Sequence, residues 1–154
     1  MSGRLGIDFG TSNTVVAVWD EQRREGVPLH VPDFGYLCEF APPSPSLSRG
    51  LIPPISVIPT LIHYAKDGRR WIGDQVRQKN LACSERTFSL IKRYIANRSP
   101  VNRRFDDRQI SHFEAGRDFL SAVILFAPEE LQLRDEEVAL PVPVESFAHY
   151  VDWL

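Results

Sequence analysis

Residues 6–14, with the sequence GIDFGTSNT, combine one carboxylate with a turn rich in glycine and small hydroxyl side chains. Asp8 lies in an otherwise apolar, β-prone run, and a buried carboxylate needs a cation or hydrogen-bond donors beside it. Gly10 and its polar neighbours favour a turn that points several backbone N–H groups at one place, and such a concavity binds anions such as phosphate. Together these features are suited to Mg²⁺-phosphate.

The same residues have a plainer interpretation, in which Asp8 caps a hairpin turn and Gly10 with Thr11 is ordinary turn chemistry. Short glycine motifs often match by chance, so residue types alone leave both interpretations open. The stretch lacks the G-x-x-x-x-G-K-[ST] pattern of a P-loop and the G-x-G-x-x-G pattern of a dinucleotide-binding fold. Neither of those two phosphate-binding folds is supported.

The composition of the chain excludes several other classes of function. Its 154 residues are 43% hydrophobic, which is enough for one domain with a core. A formal net charge of -2 gives no electrostatic footprint for nucleic acid or an anionic membrane. Residues 1–20 do not have the pattern of a signal peptide, so we expect a cytoplasmic location. The two cysteines and four histidines are too scattered to predict a metal site.

The segments on either side of the turn are predicted to be strands that hold it in place. Residues 4–9 and 14–20 are apolar or β-branched runs, so the turn joins them in a hairpin. Residues 26–32 add a strand at an edge, and the run 138–144 adds another. Residues 33–55 hold five prolines among serines and are predicted to be a loop.

Between these strands the sequence predicts a smaller α/β unit. Its predicted elements are a hairpin of residues 59–64 and 71–72 around Asp67-Gly68, and helices over 74–81, 86–96 and 112–126. Ser111 and Glu114 form a capping box that begins the last helix, and Pro128 is predicted to end it. A further helix is expected from residue 145 onward.

Four segments, in the same order along the chain, resemble the ATPase domain of the Hsp70 family, within the actin, Hsp70 and sugar-kinase superfamily. The stretch GIDFGTSNTVVAVWD resembles the family's first phosphate loop. Residues 59–80 are similar to its hairpin, IGD turn and following helix, and TFSLIKRYIA, residues 87–96, is similar to the segment with its catalytic lysine. Residues 138–147 resemble the strand that ends in V-P before the next helix.

The resemblance implies an α/β fold: a partial ribonuclease H-like lobe of the actin-like ATPase type, with a mixed sheet and a small inserted α/β subdomain. We expect the 154 residues to be a single, incomplete nucleotide-binding domain. Its expected parts are a core sheet from residues 1–32 and 138–154, a Pro-rich loop over 33–55, and an inserted subdomain over 56–130.

The resemblance also implies roles for residues of the first turn. Asp8 would act in catalysis by holding the shell of a Mg²⁺ ion through water. The β- and γ-phosphates of ATP or ADP would be lined by Gly10, Thr11, Ser12 and Asn13. ATP or ADP and Mg²⁺ are therefore the cofactors that we expect for the complete protein.

Two residues far along the chain match functional positions of the family. Lys92 falls on the catalytic lysine, whose ammonium would orient the attacking water and offset charge on the γ-phosphate. Without the resemblance, Lys92 would be interpreted as a solvated helix residue. Pro143 falls on the proline that relays the nucleotide state to the substrate domain, an allosteric role, although an ordinary strand-ending proline remains an equal alternative.

The chain also departs from the family's pattern. Residues 33–55 are longer and richer in proline than the usual connection, which favours a divergent bacterial-type homologue. The arginine that the family pairs with its switch proline would fall on Val151, which puts the relay in doubt. The second phosphate loop, the adenosine pocket and the substrate domain have no counterpart in these residues. We therefore expect the chain alone neither to bind ATP tightly nor to hydrolyse it.

Two other functions stay open at this point. One is a stand-alone protein-interaction module with an Hsp70-derived fold that has lost catalysis, and the other is a sugar-kinase or actin-type member of the superfamily. The expected partners are the remainder of the ATPase domain, the substrate domain and a second copy of the chain bound through an exposed face of the lobe. Nucleic acid and membranes are not expected partners.

Overall fold

The computed structural model describes residues 2–39, 53–99, 101–131, 134–142 and 147–154, so Pro143 lies outside the described residues. The strands are β1 (Ser2–Phe9), β2 (Asn13–Asp20), β3 (Glu25–Pro28), β4 (Tyr36–Cys38), β5 (Ile55–Pro59), β6 (Ile62–Tyr64), β7 (Arg70–Ile72), β8 (Thr87–Phe88), β9 (Asn102–Phe105), β10 (Arg108–Ser111) and β11 (Arg134–Ala139). The helices are α1 (Asp74–Gln78), α2 (Ile91–Ala96), α3 (His112–Leu131) and α4 (Phe147–Trp153).

A six-stranded mixed sheet carries the turn of interest. Its strand order is β11-β1-β2-β5-β4, and β3 also pairs with β2. β1 and β2 are antiparallel, with Phe9 opposite Thr14, whereas β11 runs parallel to β1. The prediction of an α/β fold with a mixed sheet is confirmed, and the architecture is compatible with a partial actin-like lobe.

One face of β1 forms the centre of the hydrophobic core. Side chains alternate between the two faces of a strand, and Leu5, Ile7 and Phe9 are all buried on the same face. The Phe9 ring lies 5.8 Å from the ring of Phe119 in α3 and 6.1 Å from that of Trp153 in α4. Burying each such side chain stabilises the fold by about 1.5–3 kcal/mol. The core therefore fixes the end of β1, where the turn begins, against two helices.

The absence of a side chain at Gly116 sets how closely the helices pack. A Cβ atom at this position of α3 would lie 2.7 Å from Cζ2 of Trp153 and 2.8 Å from Cδ1 of Ile95. Both distances are shorter than a normal contact, so α2 and α4 approach the backbone of α3 directly. This close approach positions Lys92 on α2 next to α4.

Two smaller sheets make up the rest of the described structure. One has the order β7-β6-β8, and the other is the hairpin of β9 and β10. The predicted turn at Asp67-Gly68 joins β6 to β7, with Gly68 at φ +84° and the Arg69 N–H donating to Oδ1 of Asp67 at 3.1 Å. The β9–β10 hairpin was not predicted from the sequence.

The predicted capping box of α3 is confirmed, but the predicted end of that helix is wrong. The Glu114 N–H donates to Oγ of Ser111 at 3.1 Å, and the Ser111 N–H donates to Oε2 of Glu114 at 2.8 Å. α3 continues through Pro128 to Leu131. Proline's fixed φ of about −65° is compatible with a helix, although at an interior position proline removes one hydrogen bond and crowds the carbonyl four residues earlier. In the described part of the chain, no helix is long and apolar enough to cross a membrane.

Other predicted elements also have different bounds in the structure; for example, the strand predicted over 26–32 is β3, Glu25–Pro28. β4 lies inside the segment 33–55 that was predicted to be a loop, because its three residues precede the prolines and pair with β5. β11 begins at Arg134 and ends at Ala139, since Pro141 lacks the N–H that a continuing strand would need. In the predicted helix 86–96, residues 87–88 instead form β8, and α2 begins at Ile91. Residues 40–52 lie outside the described part.

Candidate functional site

The turn between β1 and β2 depends on Gly10. A Cβ atom at Gly10 would lie 2.2 Å from the backbone oxygen of Asn13, a distance that no side chain tolerates. Thr11 and Ser12 form the tip of the turn, and both are exposed, as is Asn13 at the start of β2. The hairpin predicted from the sequence is confirmed, and glycine is required there by close backbone approach.

Thr60, which follows β5, fastens this turn from inside. Its N–H donates to the Ser12 carbonyl at 2.9 Å, and its hydroxyl donates to the Gly10 carbonyl at 3.0 Å. Oγ1 of Thr60 also lies 3.0 Å from Oγ1 of Thr14, and both threonines are buried. Because the Thr60 hydroxyl has a single proton and gives it to Gly10, the Thr14 hydroxyl must donate to Thr60.

The remaining backbone groups of the turn tip are donors. The carbonyls of Gly10 and Ser12 are both taken by Thr60, whereas the N–H groups of Thr11 and Ser12 have no protein acceptor within the described residues. Successive unpaired N–H groups in a turn form a concavity that suits an anion. The N–H donors at the tip of the turn are therefore available to a ligand, whereas the carbonyl acceptors of Gly10 and Ser12 are already bonded to Thr60.

Asp8 is exposed, so the expectation of a buried carboxylate was wrong. The residue pairs with Val15 in the ladder between β1 and β2, and strand alternation turns its side chain away from the face that holds Ile7 and Phe9. The apolar neighbours in sequence thus belong to the opposite face. Because Asp8 is exposed, its carboxylate does not need a cation or hydrogen-bond donor beside it. Asp8 remains a candidate site residue because it lies two residues before the start of the turn.

Lys92 projects from α2 toward α4 and is half-buried. Its Nζ atom lies 5.7 Å from the centre of the Tyr150 ring, within the range of a cation–π interaction. Among the described residues, no ion pair within 4.0 Å joins Lys92 to Asp8. Leu90, just before α2, has φ +53°, a left-handed conformation that is costly for a branched side chain. The backbone that presents Lys92 is therefore strained.

Tyr150 connects Lys92 to the end of β1, and sequence reasoning missed it. The residue is fully buried, and its hydroxyl has no hydrogen-bond partner among the described residues. Its ring lies 5.5 Å from that of Trp153, which in turn stacks on Phe9. Burial raises the pKa of Tyr150 strongly, and the negative charge of Asp8 adds to the rise. A tyrosine in an apolar helix gives no sequence signal for such a position.

The predicted site residues thus fall into three groups. The turn residues and Asp8 adjoin one another through the β1–β2 hairpin. Lys92 is linked to this end of β1 through Tyr150 and the aromatic rings beside it. Pro143 lies outside the described residues, so its predicted role stays a prediction.

The arrangement fits a magnesium ion held mainly by water and phosphate. Among the described residues, no three His, Cys, Asp or Glu side chains come together as a metal cage. Mg²⁺ keeps several of its waters and commonly uses one or two carboxylates together with substrate phosphates. The exposed carboxylate of Asp8, beside a turn with free N–H donors, matches that mode of binding.

Comparison with known proteins supports a relationship to Hsp70 proteins. No protein-family model matches the chain. The chain is 29% identical over 104 residues to the chaperone protein DnaK of Trichormus variabilis, and equally to the chaperone protein dnaK1 of Nostoc sp.. The match covers 65% of this chain and 12% of each relative, so the chain spans only a small part of their length.

Proposed function

We propose that this chain carries the first phosphate-binding loop of an Hsp70-related nucleotide-binding domain, as the amino-terminal portion of a divergent bacterial-type homologue. The observation that carries the proposal is the turn at Gly10, whose carbonyls are bound by Thr60 and whose tip N–H groups are free. The sequence relationship to DnaK chaperones supports the same function.

In this proposal the turn binds the phosphates and Asp8 binds the hydrated metal. The N–H groups of Thr11 and Ser12 donate to phosphate oxygens, and the exposed hydroxyls beside them add further donors. Gly10 lets the backbone of the turn close onto Asn13, and this close approach sets the shape of the tip that carries the two N–H groups. Bound Mg²⁺ would supply positive charge that offsets the charge of the phosphates. Asp8 accepts hydrogen bonds from the water that surrounds that ion.

Lys92 is the proposed catalytic cation. Lys92 is half-buried, and its ammonium lies beside the buried Tyr150 ring at the same end of the core as the turn, where its interaction with phosphate charge is stronger than in bulk water. From there it orients the attacking water and offsets the charge that develops on the γ-phosphate. Pro143 as the relay to a substrate domain belongs to the same proposal.

The chain alone is proposed to bind nucleotide weakly and not to hydrolyse it. The turn offers its donors on an exposed surface, so phosphates would be contacted from one side only. Each lost 1.4 kcal/mol of contact energy is about a tenfold loss of affinity. A calorimetric titration with Mg·ATP checks this point, and binding in the micromolar range by the chain alone would contradict it.

The phosphate-binding function is tested by an amide NMR titration with Mg·pyrophosphate. We expect the signals of Thr11 and Ser12 to shift in the parent chain and to lose that response in Gly10→Ala, where the added Cβ collides with Asn13. Gly26→Ala is the matched control, because a Cβ at that strand position has its nearest neighbour 4.0 Å away. The alternative function, an interaction module without catalysis, predicts no response of the turn in any of the three chains.

A further inference from the structure

A second site is suggested by a cleft in the smaller α/β part of the chain. It has a volume of about 740 Å³, lies between residues 82–89 and β9, and shares no lining residue with the β1–β2 turn. Four basic side chains line it against two acidic ones, and these are Lys66, Arg86, Arg103, Arg104, Glu85 and Asp106. The chain as a whole has a net charge of -2, so this excess of positive charge is local.

Arg103 is fixed in the wall of the cleft. Its Nη1 donates to the Thr87 carbonyl at 2.6 Å and to the Glu85 carbonyl at 3.2 Å. The guanidinium also lies 5.0 Å from the centre of the Phe88 ring. The Thr87 carbonyl and the Phe88 ring both belong to β8, so these contacts hold the guanidinium against that strand.

Arg86, in the 82–89 side of the cleft, is also held in place by several contacts. Its side chain is only 14% exposed, forms an ion pair with Asp106, and donates to the Tyr64 carbonyl at 3.4 Å. Its guanidinium stacks 4.8 Å from the centre of the Phe105 ring. A cation held by several contacts loses little conformational entropy when it meets an anion.

Two further cations are free to bind a ligand. Lys66 and Arg104 are both exposed, and neither side chain has a hydrogen-bond or ion-pair partner in the described part of the chain. They line the cleft together with the hydroxyls of Ser84 and Ser89. The cleft therefore combines two anchored guanidinium groups with two mobile cations and neutral donors.

We propose that this cleft binds an acidic peptide segment of a partner protein, whose carboxylates pair with Lys66 and Arg104. Glu85 and Asp106 lie in the same cleft and would repel a continuous polyanion, which disfavours nucleic acid. A cleft of about 740 Å³ is also far larger than a single small anion requires. The site is independent of the phosphate turn, and the two proposals can fail separately.

The test is fluorescence anisotropy with a short labelled peptide in which acidic residues are separated by neutral serine and glycine, so that its charge is not continuous. We expect saturable binding that weakens as salt rises, because exposed charges are screened. Lys66→Glu and Arg104→Glu are each expected to weaken binding roughly threefold to tenfold. Arg24→Glu is the control, since it makes the same change of charge at an exposed position outside the cleft.

Cys83 provides a second, local measurement. Its thiol is exposed and lines the cleft, whereas Cys38 is half-buried and does not. The bound peptide should slow the reaction of Cys83 with a thiol reagent and leave that of Cys38 unchanged. Equal effects of Arg24→Glu and the cleft variants, or no protection of Cys83, would overturn the proposal. If inorganic pyrophosphate displaces the labelled peptide at a concentration below that of the peptide, the proposal is also overturned, and the cleft is then a site for small anions.

Discussion

Nζ of Lys92 lies 5.7 Å from the centre of the ring of Tyr150. Tyr150 belongs to α4, which packs against the end of β1 through Trp153. This contact brings together two residues that are far apart in the sequence. It places the ammonium beside a buried aromatic ring, at the end of the core to which the glycine turn also belongs. The catalytic role of Lys92 remains a prediction, and this contact gives it a physical setting.

The unpaired hydroxyl of Tyr150 predicts a gain in stability on its removal. A buried hydroxyl without a partner costs about 1–3 kcal/mol, so Tyr150→Phe should raise the free energy of unfolding by about 1 kcal/mol. Tyr64→Phe is the matched comparison, because the Tyr64 hydroxyl donates to Oδ2 of Asp118 at 2.9 Å and its loss should destabilise the chain. Urea denaturation measures both changes, and destabilisation by Tyr150→Phe would show that its hydroxyl has a partner.

The two hydrogen bonds of the Thr60 hydroxyl predict that this group contributes more to stability than the shape of the side chain. Thr60→Val leaves the Gly10 carbonyl without its donor and Thr14 without its acceptor, which should lower the free energy of unfolding by about 1–3 kcal/mol. Thr60→Ser keeps the hydroxyl and should lose markedly less. Equal losses in the two variants, measured by urea denaturation, would mean that packing rather than hydrogen bonding fastens the turn.

Helix packing at Gly116 gives a third prediction. Gly116→Ala forces an atom to within 2.7 Å of Trp153 and should cost about 1–3 kcal/mol despite the better helix propensity of alanine. The fluorescence of Trp153 should change with it, because α4 must move. Gly26→Ala has no such contact and should leave the stability nearly unchanged. A stabilised Gly116→Ala chain would contradict the close packing of the three helices.

Burial of His112 predicts that stability depends on pH. Its Nδ1 donates to the Val101 carbonyl at 3.2 Å, and its buried Nε2 has no partner in the described part. Burial is the main cause that lowers the pKa of His112 below its usual 6.5. Below about pH 6.5 the unfolded chain thus binds more protons than the folded chain, and the free energy of unfolding falls with decreasing pH until the lowered pKa is reached.

Comparison of the parent chain with His112→Phe measures this dependence. Phenylalanine keeps an aromatic ring beside Tyr94 and Phe88 but cannot take up a proton. Urea denaturation between pH 7.5 and pH 5.0 should therefore show a shallower loss of stability in the variant, by roughly 1 kcal/mol per unit of pKa difference. His63, whose pKa is also lowered by burial, accounts for part of the remaining slope. Parallel curves for the two chains would exclude His112 as a cause.

The local parts of the fold could be predicted because their signals are local. A few neighbouring residues are enough to predict three features: the alternating apolar residues of β1, the glycine turn and the Ser111–Glu114 capping box. The burial of Asp8 was predicted wrongly although a local signal was present. Leu5, Ile7 and Phe9 alternate along β1, so a strand with one buried face places Asp8 on the other face.

Contacts between distant residues were out of reach of the sequence. Thr60 fastens a turn 50 residues earlier, and nothing in the types of its neighbours indicates that its hydroxyl is needed there. Tyr150 likewise meets Lys92 only because α2, α3 and α4 converge where Gly116 has no side chain. Pro128 shows the reverse case, in which a strong local signal for a helix end is overridden.

The measurement that tests the central claim most directly is one NMR titration with Mg·pyrophosphate, observed at the Thr11 amide and at the side chain of Lys92. If the turn and the lysine form one phosphate site, both signals shift together and give the same dissociation constant. A response at neither position, or a response at Lys92 with a different dissociation constant from that of Thr11, would contradict a shared site.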